Sequence, residues 1–299
     1  MTAAVVRTAP GAGALDAASL AGLGVARRRE NFPLAFLCPP DVRAGRHAVY
    51  AYCRLIDDLG DEYTGDRLAV LDAAEAEVHA ALSGRAQHPV FVALQPLFAA
   101  GMPAQPFLRL IEANRVDQSV VSYASWQALD GYCALSAAPV GEMVLRLENA
   151  ATPRRLELSA LVCGGLQLAN HWQDLGEDAL RGRCYVPSPV LSQHGVTVAS
   201  LASGVAPPGF AAMLDECVAA ARERLRGGWP LAAELRGRLR VEIAGFAAHG
   251  AATCDAVSRN GRSVLVARPS SGRRGRAAAL LVALRALAAP SAPPRSLRP

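Results

Sequence analysis

The chain has 299 residues, enough for a sizeable buried core and too many for a disulfide-stapled miniprotein. Hydrophobic residues make up 52% and aromatics 5%, so the interior must be built of Ala, Leu and Val, which favours close-packed helices over an aromatic-rich β-sandwich. The net charge of +5 belongs to the C-terminus: residues 259–299 hold nine Arg and no acid, leaving 22 basic and 26 acidic side chains before them, and the basic run lacks the interleaved aromatics of a nucleic-acid binder.

In chain order, residues 1–14 read as a flexible leader with no secretory signal, and a first helix is expected at about 15–28. The Pro-rich ENFPLAFLCPP (30–40) ends before a helix predicted over 41–62, where Val42, Val49, Cys53 and Ile56 recur at helical spacing behind Asp41 as N-cap. Further helices are predicted at 65–83, 89–100, 105–123, 125–147 and 153–177, then an irregular stretch at 178–208, then helices at 209–227 and 230–257. Nothing alternates with period two, so the fold class is all-α: one domain over 15–267 and a basic amphipathic tail over 268–299. The uncharged stretches 86–108 and 188–214 are broken by Pro, so no membrane-spanning helix is expected. Seven cysteines, odd in number and without CxxC spacing, fit a reduced, cytoplasmic protein.

Two acidic stripes carry the chemistry. In YAYCRLIDDLGDE (50–62), Tyr50, Arg54, Asp57, Asp58 and Asp61 are related by helical steps and share one face. In QLANHWQDLGED (167–178), Gln167, Asn170, Asp174 and Asp178 repeat that pattern on a helix expected to be apolar all round. A lone acidic pair is usually a solvated face. These two lie in apolar sequence, where carboxylates about 6 Å apart repel by roughly 3 kcal/mol at an effective dielectric near 20. Cations relieve that repulsion, and hard oxygen donors select Mg²⁺, which completes its shell with water and phosphate oxygens. A diphosphate substrate follows, with Arg54 and Arg183 placed to bind it. Ala160, Gly164 and Gly165 either make room for an apolar ligand or let helices pack closely.

At these residues the chain resembles the squalene/phytoene synthase family. The likeness spans about 25–265 and includes both stripes, YCALSAAPVGEMVL (132–145) and GRCYVP (182–187), in the family's order. The resemblance implies a single isoprenoid-synthase bundle with a central cavity. It implies roughly two or three Mg²⁺ ions held by Asp57, Asp58, Asp61, Asp174 and Asp178. Tyr50, Arg54, Arg183 and Tyr185 would contact diphosphate or stabilise its departure, and Gln167 and Asn170 would line the reaction centre. Phe32 and Tyr132 are candidates for stabilising a substrate cation or for plain core packing. ENFPLAF (30–36) and Gln173 are similar to the hydroxysqualene synthase branch of the hopanoid route, whereas His171 and LRLENA (145–150) depart from it. On that branch presqualene diphosphate would ionise and water would capture the cation, with no NADPH. Condensation of two prenyl diphosphates and an inactive assembly protein are the alternatives. The expected partners are the prenyl diphosphate, other enzymes of the hopanoid route and, through the RAAALLVALRALAA segment (276–289), the inner face of the membrane; a bundle cap or a disordered end is the other reading of that segment.

Overall fold

The structure, a computed structural model, describes residues 40–294, 297 and 298, the side chains of residues 40, 41 and 274 aside. The leader, the helix expected at 15–28, Cys38 and the ENFPLAF segment with Phe32 lie outside the described residues. Every α or 3-10 element among the described residues is helical and none is a strand, as the composition predicts. The chain forms two compact units that divide after Ser119.

The first unit contains α1 (Pro40–Asp61), α2 (Arg67–Leu82), the short α3 (Pro89–Val92) and α4 (Gln95–Ala99), and α5 (Gln105–Val116). The predicted helix at 89–100 is thus two pieces: Pro96 stands in the first turn of α4, where its missing N–H costs nothing, and would have broken a continuous helix. Asp66 caps α2 by accepting from Ala69 N (3.0 Å). Tyr52 on α1 is the keystone of this unit. Its ring meets Phe91 and Phe107 edge-on, at 5.7 and 5.0 Å, and its hydroxyl donates to Phe107 O (2.8 Å), so a fully buried phenol keeps a partner. Tyr52, Phe91, Phe107, Ile56 and Leu59 are fully buried, each worth roughly 1.5–3 kcal/mol of transfer free energy. They hold the apolar face of α1 inward and leave its polar stripe outward.

The second unit is built on α8 (Pro153–Gln173), whose start is set by Thr152, accepting from Arg155 N, and by Pro153 in the first turn. Around it stand α6 (Trp126–Ser136), α7 (Ala138–Leu147), α12 (Phe210–Gly228) and α14 (Gly237–Asn260). The short α9 (Leu175–Leu180), α10 (Ser188–Gln193), α11 (Val198–Ala202) and α13 (Pro230–Glu234), a 3-10 turn (Gly261–Leu265) and α15 (Gly272–Arg285) complete it. The predicted helix over 125–147 breaks at Ala137, two residues before Pro139, and the stretch 178–208 holds two short helices rather than none. The small residues of α8 resolve into two roles. A Cβ on Gly165 would lie 2.9 Å from Leu225 N, and one on Gly228 would lie 2.7 Å from Val162 N, so Gly165 and Gly228 let α8 and α12 touch backbone to backbone. Gly164 has no such constraint, with Arg224 Cδ its nearest neighbour at 3.9 Å. The six described cysteines are all free thiols. No helix among the described residues is long and apolar enough to cross a membrane.

Candidate functional site

In the first unit, α1 carries Tyr50, Arg54, Asp57, Asp58 and Asp61 on its outward face, as the spacing predicts. Arg54 Nη2 pairs with Asp58 Oδ1 at 2.8 Å, so one carboxylate is balanced by a cation a single turn away. Asp57 is not balanced in that way. It stays open to water yet is crowded by protein, and desolvation, reinforced by Asp61, pushes its carboxyl up to about 7. A hydrogen bond from Asn114 on α5 opposes that shift. Asn114 is buried, donates to Leu110 O (3.1 Å), and stands so close to Gly60 that a Cβ there would fall 1.9 Å from its Oδ1. Gln118 donates to Gly60 O (3.0 Å) and to Asn114 O (2.8 Å), tying the end of α1 to α5. Gly60 is therefore a contact residue: only a residue without a side chain lets the acidic end of α1 approach Asn114.

In the second unit, α8 ends at Gln173, and Asp174 is its C-cap and the residue before α9. The sequence reading, a helix continuing through 177 and apolar all round, is corrected here. Gln167, Asn170 and Asp174 are partly accessible, whereas Trp172 and Gln173 are buried. The break preserves the spacing because Asp178 N still donates to Asp174 O (2.8 Å). Desolvation, with Asp174 as the neighbouring charge, pushes the Asp178 carboxyl up to about 7. Desolvation also raises Asp174, opposed by Arg268. Arg268 Nη2 donates to Asp174 Oδ2 (3.0 Å); its Nε faces Oδ1 off the hydrogen-bonding direction, so that oxygen has an ion-pair contact and no hydrogen bond. Next to it, Gln173 Nε2 donates to Pro269 O. The segment just before α15 is thus fastened onto the second acidic motif.

Arg183 follows Gly182, whose φ of +77° turns the chain so that Arg183 N donates to Asp178 O (2.9 Å). Bonds from Cys184 N to Val121 O (2.9 Å) and from Ser188 N to Tyr123 O (2.8 Å) lay this strip along residues 121–123. They assemble an aromatic cluster: Tyr185 stacks on His171 at 3.6 Å and lies 5.7 Å from Tyr132 and 5.8 Å from Tyr123. His171 is buried with no hydrogen bond at Nε2, and desolvation pushes its imidazole down to about 3. Two of the three tyrosines named from sequence, Tyr132 and Tyr185, therefore meet, and His171 and Tyr123 join them. Sequence reasoning missed four residues that shape these surfaces: Asn114, Arg268, His171 and Tyr123. An asparagine one turn after Leu110 on a buried helix face was a usable signal for the first; for Arg268, 94 residues from its partner, there was none.

Among the described residues, no three His, Cys, Asp or Glu side chains form a preformed metal cage. Carboxylate oxygens are the donors Mg²⁺ takes, one or two at a time with water and phosphate oxygens filling its shell, whereas zinc favours His and Cys. Two carboxyls raised to about 7, and a third with Arg268 as cation, are oxygen donors short of positive charge.

The profile of the family described as Squalene/phytoene synthase matches residues 25–277. The chain belongs to the squalene/phytoene synthase family. A hydroxysqualene synthase of Sinorhizobium fredii is 35% identical over 224 residues, covering 72% of this chain and 75% of that one. One of Rhodopseudomonas palustris is 35% identical over 228 residues, covering 74% and 76%. The crystal structure of squalene synthase HpnC from Alicyclobacillus acidocaldarius superposes with a TM-score of 0.74 at 38% identity, covering 84% of this chain and 98% of that one. The isoprenoid-synthase helical fold expected from the motifs is thereby shown for this member of the squalene/phytoene synthase family, which is a family of enzymes.

Proposed function

We propose that the chain converts presqualene diphosphate to hydroxysqualene, the product named for relatives at 35% identity. The observation that carries the reading is the pair of carboxyls, Asp57 and Asp178, each raised to about 7 in an acidic motif. Two acidic motifs whose carboxyls are raised by desolvation and by neighbouring carboxylates suit a metal–diphosphate group. Asp57, Asp58, Asp61, Asp174 and Asp178 would hold Mg²⁺, which when bound supplies positive charge to the departing diphosphate. Arg54 and Arg183 add charge-assisted hydrogen bonds to the same oxygens, and Tyr50 lies on the Arg54 face of α1.

As the carbon–oxygen bond to diphosphate breaks, the electron pair leaves with the diphosphate and a cyclopropylcarbinyl cation remains. The faces of Tyr132 and Tyr185 and the amide dipoles of Gln167 and Asn170 suit that cation. Ring opening and attack by water form the new carbon–oxygen bond, and one proton leaves the water. The step balances without a reductant, so NADPH has no part in it. The membrane is the natural source of so apolar a substrate, and contact with its surface through the C-terminal segment belongs to the same proposal.

The test is to incubate purified protein with Mg²⁺ and, separately, presqualene diphosphate, farnesyl diphosphate and geranylgeranyl diphosphate, and to identify the products. Hydroxysqualene from the first, without NADPH, is expected. Presqualene diphosphate accumulating from farnesyl diphosphate, or phytoene from geranylgeranyl diphosphate, would replace this reading by a condensation.

A further inference from the structure

The C-terminal helix presents two different faces. Ala279, Ala283 and Ala286 are buried, and Gly275 approaches Ala252 of α14, where an added Cβ would lie 3.7 Å from the Ala252 Cβ. Beyond the helix, Trp229 Nε1 donates to Pro290 O (3.0 Å) and Arg226 Nε to Leu297 O (2.7 Å). α15 is therefore a fixed part of the second unit, seated by its alanine ridge. The outward side, which begins about 100° round the helix from that ridge, is apolar and open: Leu280, Leu281, Leu284 and Leu287 are each 50–55% exposed. Along it, Arg276, Leu280 and Leu284 follow one another at steps of four, one above the next on the helix, and Leu287 stands two residues past its end. Exposed Arg273, Arg276 and Arg285 border the leucines, and no acid occurs from residue 259 to the end of the chain.

We infer that this face docks in the plane of an anionic bilayer, with the four leucines in the acyl boundary and the three arginines at lipid phosphates. The inference rests on the peripheral contact proposed above and assigns the surface that makes it. Charge selects the occupant. A second copy docking by this face would set its arginines against the same arginines, whereas anionic headgroups satisfy both the leucines and the charge. At 14 residues, or about 21 Å, the helix is too short to span the bilayer and suits lying on it. Docking also has a consequence for the site. Gly272 is three steps along the chain from Pro269, held by Gln173, a reach of about 10 Å at most, so a membrane under the start of α15 lies beside Asp174.

The structure also dictates how to test this. Deleting the tail would strip the cover from α14 and remove the segment fastened to Gln173 and Asp174, so exposed point variants are the cleaner probe. Full-length protein, Leu280→Ser/Leu284→Ser and Arg273→Gln/Arg276→Gln/Arg285→Gln are sedimented with vesicles of phosphatidylcholine alone or mixed with phosphatidylglycerol, at low and high salt. The wild type should partition onto the mixed vesicles. The serine pair should lose about tenfold or more of that partitioning, and the glutamine triple about a hundredfold, together with its salt dependence. All three should turn over detergent-dispersed substrate equally. Wild type that ignores the mixed vesicles overturns the membrane contact itself. Wild type that binds while the serine pair binds equally well overturns only this face. Lipid-free self-association that the serine pair abolishes assigns the face to a second copy instead. Product identity decides the catalytic reading separately.

Discussion

His171 offers a direct measurement of what burial costs in this chain. Its ring is stacked on Tyr185 at 3.6 Å, its residue is 7% exposed, and its Nε2 has no hydrogen-bond partner. Desolvation pushes its folded-state value down to about 3, against about 6.5 unfolded. Below pH 6.5 the unfolded chain therefore takes up a proton that the folded chain refuses. Stability from this residue is complete above about pH 6.5 and is lost as pH falls toward 3, at about 1.4 kcal/mol per pH unit. Between pH 7.5 and 5.0 the loss is about 2 kcal/mol, which in a chain of this size corresponds to roughly 3 °C in Tm. His171→Phe keeps a ring for Tyr185 and removes the titrating nitrogen. Unfolding of both proteins, followed over pH 5–8, should give a difference that is flat above pH 6.5 and then moves in favour of the variant by about 2 kcal/mol. At neutral pH the variant should be at least as stable, since the unpaired nitrogen is gone. Parallel curves over the whole range would refute the reasoning, because a histidine that titrates normally in the fold leaves no difference to see.

Asp57→Asn and Asp174→Asn should each leave less than about a tenth of wild-type turnover in the product assay, with the far-ultraviolet circular dichroism unchanged. Because Asp57 and Asp178 hold protons up to about pH 7, apparent Mg²⁺ affinity measured by calorimetry should weaken as pH falls through 7 and level off above it. The adjacent glycines of α8 should respond with opposite signs: Gly164→Ala, whose Cβ would meet only Arg224 Cδ at an ordinary 3.9 Å, should stabilise by about 0.5–1 kcal/mol. Gly165→Ala, driven against Leu225, should destabilise by about 1–3 kcal/mol, both read from thermal unfolding.

Much of this architecture was legible because amphipathic spacing is a local property. The polar stripe of α1 follows from i, i+3, i+4 arithmetic alone, and Tyr52, Ile56 and Leu59 fall on the face that the same arithmetic assigns to the core. The breaks were harder. Pro96 and Pro139 carried the signal for two of them, but the end of α8 at Asp174 has no Pro or Gly. Beside it Gln173 donates to Pro269 O, 96 residues away, a contact that no local pattern announces. Gly165 and Gly164 are indistinguishable as letters, and only the position of Leu225 on a different helix separates a contact residue from a spare one.

The two acidic motifs show the same limit in their electrostatics. Spelled alike, with aspartates four apart, they are balanced by different means. Asp58 has Arg54 one turn back, a pair that can be read from sequence, while Asp57 next to it is crowded, repelled by Asp61 and relieved chiefly by the Asn114 amide. Asp174 has Arg268, a cation delivered from the far end of the chain. The stability effects of the two asparagine variants should therefore differ even though their activities fail together. Asp57→Asn removes a carboxyl that the metal-free fold holds at a cost, so metal-free Tm should rise. Asp174→Asn removes a repulsion at Asp178 but also a half-exposed ion pair, a type worth about 0–1 kcal/mol, so its Tm should barely move. Equal upward shifts would mean that Arg268 contributes nothing to Asp174, and that the segment before α15 is held by Gln173 alone.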